Sequence, residues 1–175
     1  MNQNPCGHPV SATCERCTYD LATALAAGQN RQLTYEELNF VLVASLLRTD
    51  YVDARKVLDV FQRDFTASEL EQMLATRVES GSYDLALHAS HMAGRPLAQF
   101  EIDQVAIIGL RVHNNTHQVV QMAMQGLLSV AALKILVDIA VTKQLRQTAG
   151  FLRKKLDELE KLLAPATEAR EGVTA

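Results

Sequence analysis

Apolar residues recur at helical spacing along most of this chain. Between Tyr35 and Leu47, the positions Leu38, Val41, Leu42 and Ser45 fall on one helical face, with little β-type alternation. A shorter pattern over 18–27 places Leu21, Ala24 and Leu25 together and stops at Gly28-Gln29-Asn30, a C-terminal cap signal. Polar breaks follow at Thr49-Asp50, Asp64 to Thr66, Gly81-Ser82, Gly94-Arg95-Pro96 and Asn114-Asn115. The pattern predicts helical hairpins over about 34–63, 67–93 and 98–128, then a degenerate fourth over 130–163.

Helix entries are marked as well. Thr34-x-x-Glu37 and Thr66-x-x-Glu69 have the form of capping boxes, in which hydroxyl and carboxylate satisfy early N–H groups reciprocally. Ala98-x-x-Glu101 keeps the glutamate and follows Pro96. These entries recur at one constant offset, from Thr34 to Thr66 to Ala98. The same offset aligns Leu38, Leu70 and Ile102, Tyr51 with Tyr83, and Ala54 with Ala86. The expected fold is therefore all-α, with antiparallel hairpins stacked as a short α-solenoid or packed as a compact bundle.

A regular period of this length, with a Tyr-x-x-Ala start to the second helix, is similar to the helical-hairpin repeats of the tetratricopeptide and pentatricopeptide type. The resemblance covers most of residues 33–144. The Trp and Gly-Tyr signature of the tetratricopeptide repeat is absent, and Tyr51-Val-Asp-Ala-Arg-Lys-Val-Leu-Asp-Val-Phe meets the pentatricopeptide pattern only in part. The resemblance implies a surface for binding a protein or an RNA.

Composition changes this picture little, but its distribution matters. Apolar residues make up 48% of the chain, which excludes a disordered polymer. A net charge of −3 disfavours binding along a nucleic-acid backbone. The most apolar stretch, 126–141, is interrupted by Lys134 and Asp138 and falls short of the roughly 20 residues of a membrane-spanning helix. The N-terminus lacks the pattern of a secretory signal, so a cytoplasmic protein is expected.

All three cysteines lie in the first 17 residues. Cys6, His8, Cys14 and Cys17 form C-x-H-x5-C-x2-C, a Cys3His set suited to tetrahedral zinc. Four protein ligands fill the coordination shell, so one structural zinc is expected and no catalytic metal. The segment resembles a zinc knuckle and one half of a RING-type site. The other RING ligand pairs are missing, so that family's ligase activity does not carry over. Residues 1–20 are thus expected to form a zinc-knuckle-like segment, 21–163 a helical-repeat domain, and 164–175 a flexible tail.

Two further groups are candidates. His88-x-x-His91 and His113-x-x-x-His117 have same-face helical spacing and could form a second metal or acid/base cluster, although polar residues at hairpin turns have the same spacing. Residues 33–100 carry ten acidic and six basic side chains, whereas 101–144 carry only six charges. Gln118, Gln121, Met122 and Gln125 in that charge-poor stretch are a candidate partner surface, or else the covered centre of the fold. Over 145–163, Leu145, Ala149, Leu152, Leu156, Leu159 and Leu163 form a heptad seam, which would either cap the array or pair two copies as a homodimer.

The expected function is a non-enzymatic protein–protein interaction module, acting as adaptor, regulator or inhibitor of a larger complex. Nucleic-acid binding through the knuckle or the repeats, and a histidine-based metalloenzyme, are the alternatives.

Overall fold

The computed structural model describes residues 18–164. Among them are nine helices and no strand: α1 (Tyr19–Gly28), α2 (Tyr35–Arg48), α3 (Tyr51–Phe61), α4 (Ala67–Glu79), α5 (Tyr83–Met92), α6 (Gln99–His113), α7 (Thr116–Met124), α8 (Val130–Thr142) and α9 (Arg146–Leu163). The expected hairpins over 34–63, 98–128 and 130–163 correspond to the packed pairs α2–α3, α6–α7 and α8–α9; the segment 67–93 holds α4 and α5, and α1 precedes them all. No helix among the described residues is long and apolar enough to cross a membrane.

The helix entries follow from short-range chemistry. Thr34 Oγ1 accepts from the Glu37 amide, and a Glu37 carboxylate oxygen accepts from the Thr34 amide at 2.9 Å. Thr66 and Glu69 repeat both bonds. Ala98 has no hydroxyl, so only the carboxylate half remains there, with the Ala98 amide donating to Glu101 at 2.7 Å. Each of the first two boxes also holds an arginine six residues before its glutamate. Arg31 donates two hydrogen bonds to Glu37, and Arg63 donates two to Glu69. The guanidinium beside each carboxylate holds Glu37 and Glu69 down at about 2, chiefly through these hydrogen bonds.

The helix exits follow a second rule. One residue at every junction takes a left-handed backbone: Asn30, Thr49, Gln62, Gly81, Gly94, Asn114, Gly126 and Gln144. At most of them the next amide donates back to a carbonyl five residues earlier, as from Arg31 to Ala26, Arg63 to Leu58, Arg95 to Ser90 and Leu127 to Met122. This closure satisfies carbonyls that a helix end leaves open and turns the chain back.

The chain divides into two compact units, one of residues 18–77 with 89–95 and the other of 78–88 with 96–164. In the first, Ala22 of α1, Leu38, Val41, Leu42 and Leu46 of α2, Ala54, Val57 and Leu58 of α3, and Met73 form the core. In the second, α6 packs on α8 and α7 on α9, so equivalent helices of successive hairpins lie side by side. Asp103 of α6 links these hairpins by accepting from the Ser129 hydroxyl at 2.6 Å and from its amide at 3.1 Å.

The second unit contains a close backbone approach. A side chain at Gly81 would meet the Gly109 nitrogen at 2.7 Å, and one at Gly109 would meet the Gly81 carbonyl at 2.8 Å. Gln118 secures the contact, donating to the Gly81 carbonyl and accepting from the Tyr83 amide.

The heptad seam of α9 is used inside this unit. Ala149 and Leu152 are buried in its core, and Leu145, Leu156 and Leu159 pack against it. Leu163 remains exposed. Pairing two copies through the whole seam would therefore require α9 to leave this core.

Three outcomes are expected. Because Glu37 and Glu69 titrate lower when folded than when unfolded, their contribution is complete above about pH 5 and is lost as pH falls toward 2. Glu69→Gln should cost about 1–2 kcal/mol at pH 7, allowing for solvent screening, and flatten the acid limb of stability measured by urea denaturation. Gly109→Ala should destabilise by about 1–3 kcal/mol through backbone overlap, despite alanine's helix preference. Gly150→Ala, with open space around it, should stabilise by up to about 1 kcal/mol in thermal melts.

Candidate functional site

The sequence candidates meet different fates. Cys6, His8, Cys14 and Cys17 lie outside the described residues, as does 165–175 of the expected tail. Among the described residues, no three His, Cys, Asp or Glu side chains gather in a way that could hold a metal ion. His88 and His91 lie on α5, His113 ends α6 and His117 lies in the first turn of α7. All four are exposed.

The candidate partner surface needs correction. Met122 is 1% exposed and belongs to the core of the second unit, packed with residues such as Leu110, Val119 and Leu136. Its polar neighbours suggested an outward face, but Val119, Met122 and Ala123 form the inward stripe of a short amphipathic helix. Gln118 is half-buried and tied to Gly81 and Tyr83. Only Gln121 and Gln125 of the four are exposed. The low charge of this stretch thus reflects covered packing as well as surface.

A concave site that sequence spacing did not single out lies in the first unit. It encloses about 500 Å³ and is lined by Tyr51, Val52, Arg55, Lys56, Asp59, Phe65 and Met92. Five of these come from α3 at positions that share one helical face. Tyr51 meets Phe65 edge to face, with ring centroids 6.0 Å apart. Burial pushes the Tyr51 phenol above its usual range.

The charges around this site are paired. Arg55 donates to Asp59 and to Asp64, at 2.8 and 2.7 Å. Lys56 donates to Asp20 of α1 at 2.8 Å and lies 5.9 Å from the centre of the Tyr19 ring. Hydrogen bonds to these carboxylates raise both cations above their usual values, Arg55 through Asp64 first and Lys56 through Asp20. The groove thus offers apolar surface within a frame of fixed ion pairs, a combination suited to an apolar group more than to a free ion. The signal that could have located it is the exposed, apolar Val52 beside Tyr51, at the start of a second helix.

No protein-family model matches this chain, and neither a curated protein nor a solved structure matches it.

Proposed function

We propose that the chain is a non-enzymatic interaction module, built as an array of stacked helical hairpins and carrying one structural zinc near its N-terminus. The observation that carries the reading is recurrence of local geometry. Asn30, Gln62, Gly94 and Gly126 are left-handed and evenly spaced, falling before α2, α4, α6 and α8. A chain that repeats one supersecondary unit extends its surface in proportion to the number of units, and such surfaces serve recognition of extended partners. The side-by-side packing of α6 with α8 and of α7 with α9 supports the same reading.

The partner is a protein. The chain's net charge is −3, which opposes a polyphosphate. A tetratricopeptide- or pentatricopeptide-like array presents its residues from successive helices, so several weak apolar contacts add along one partner segment.

The zinc proposal rests on the donor set. Three thiols and one imidazole, all between Cys6 and Cys17, suit zinc in a tetrahedral site, and binding would supply folding free energy to a segment poor in large apolar residues. The site would be structural.

Both parts are open to direct measurement. Peptides selected on the immobilised full chain should carry apolar anchors, and their affinity should change little between about 50 and 300 mM salt. Binding to single-stranded oligonucleotides that falls steeply over that range would replace the protein-partner reading. Elemental analysis should find one zinc per chain, and Cys14→Ser should lower both the metal content and the melting temperature. Metal-free protein with an unchanged melt for that variant would remove the zinc.

A further inference from the structure

Helices α6 and α8 lie side by side and are pinned near both ends by polar bonds. At their starts, Asp103 accepts from the hydroxyl and the amide of Ser129, the N-cap of α8. At their ends, the Lys143 ammonium donates to the Asn114 carboxamide oxygen. These two residues are the C-caps of α8 and α6. Toward the second pin the helices leave a groove of about 380 Å³. It is lined by Arg111 of α6, by Ile135, Asp138, Ile139 and Thr142 of α8, and by Lys143. The four α8 positions follow one helical face.

The floor of this groove is apolar. Ile139 is half-buried and packs on the core of the second unit, and Ile135 is 41% exposed. The charges above the floor are open. The Arg111 guanidinium and the Asp138 carboxylate are exposed and make no ion pair or hydrogen bond among the described residues. Lys134, one turn before Asp138, is held instead by Glu160 at 2.8 Å. The Thr142 hydroxyl is taken up by the Asp138 carbonyl. The groove of the first unit differs on this point, since its Arg55 and Lys56 are both bound to carboxylates. A paired cation must give up a partner to bind another group, and Arg111 need not.

The lining residues narrow the occupant. Two cations, Arg111 and Lys143, face one carboxylate, so an acidic group is favoured over a basic one. The two isoleucines favour an apolar neighbour for it. Asp138 repels successive phosphates, which opposes a nucleic-acid strand. The ties at both ends hold the groove open before binding, so little order is lost there.

We infer that the groove between α6 and α8 docks a short segment of a partner protein, with an apolar side chain on Ile135 and Ile139 and an adjacent Asp or Glu on Arg111. The inference rests on the protein-partner reading above and adds where, and by what chemistry, the partner is held. One exposed ion pair supplies selectivity with little dependence on salt.

The test uses the full chain and short synthetic peptides of alanine and serine around one central leucine, with Asp, Ala or Lys placed in turn at each flanking position. Affinities from fluorescence polarisation should favour Asp over Lys at one position by about fivefold or more. Arg111→Glu should remove or reverse that preference. Ile135→Ser should weaken every leucine peptide and keep the preference. Arg153→Glu, an equal change of charge at an exposed position of α9, should leave both unchanged. All three positions are exposed, and melting temperatures close to that of the parent chain confirm the fold of each variant. An Asp preference that survives Arg111→Glu, or that falls equally in Arg153→Glu, would overturn the inference and leave the protein-partner reading standing. Binding without any charge preference would do the same. Failure of every leucine peptide to bind would also overturn it, and the unbiased peptide selection described above decides the protein-partner reading separately. A dimer in sedimentation that Arg111→Glu dissociates would give the groove to a second copy and overturn the inference as well.

Discussion

Ending a helix and reversing the chain is the constraint on which the rest of this structure depends. A helix end leaves carbonyls without donors, and a left-handed residue lets the following amides turn back to them. The geometry is demanding for any residue with a Cβ, yet Asn30, Thr49, Gln62, Asn114 and Gln144 adopt it alongside three glycines. Their neighbours hold them there. The hydrogen bonds that close the turn, such as Asp50 to Ser45 and Leu145 to Ala140, exist only with that backbone. Short connections follow, and with them antiparallel hairpins.

Once hairpins are fixed, packing sets which residues can occupy the seam. The fourth position of α3, α5, α7 and α9 is alanine in three cases and valine in the other, all buried. Small side chains there bring helix backbones close, and Val57, Met122 and Leu152 at the seventh position of α3, α7 and α9 fill space in the cores. The Gly81–Gly109 approach is the extreme case, where no side chain fits at all. Charge is then arranged around the apolar framework. Arginines bind the capping glutamates of α2 and α4, and the basic residues near the first-unit groove are held by Asp20, Asp59 and Asp64.

Much of the helical layout was legible in the sequence because it rests on local signals. Capping residues, turn residues and apolar periodicity act within a few positions, so Thr34, Glu37, Thr66 and Glu69 could be placed without knowing the fold. The arginines six residues before Glu37 and Glu69 keep the same repeat spacing but were missed, since they lie outside the cap itself. For Met122 the sequence left a partner surface and a covered centre equally open, for a different reason. Glutamines surround it in sequence, and only the helix phase, set by contacts with α6 and α9, turns it inward. The role of Gly109 was equally hidden, because a helical glycine reads as a weakness until the backbone facing it is known. The groove on α3 depends on Phe65 and Met92, which come from separate parts of the chain, and no local pattern links them.

The two sets of turns differ in how strictly they keep time. Those that precede α2, α4, α6 and α8 fall at Asn30, Gln62, Gly94 and Gly126, with equal spacing throughout. Those within hairpins fall at Thr49, Gly81, Asn114 and Gln144, and no two of their intervals are the same. Gains and losses of a residue are thus absorbed inside a hairpin, at its tip, and compensated before the next one begins. A stretch running from one of these evenly spaced turns to the next therefore has a constant length. Its ends share one backbone conformation, so a copy inserted there would meet the chain on both sides without changing a turn.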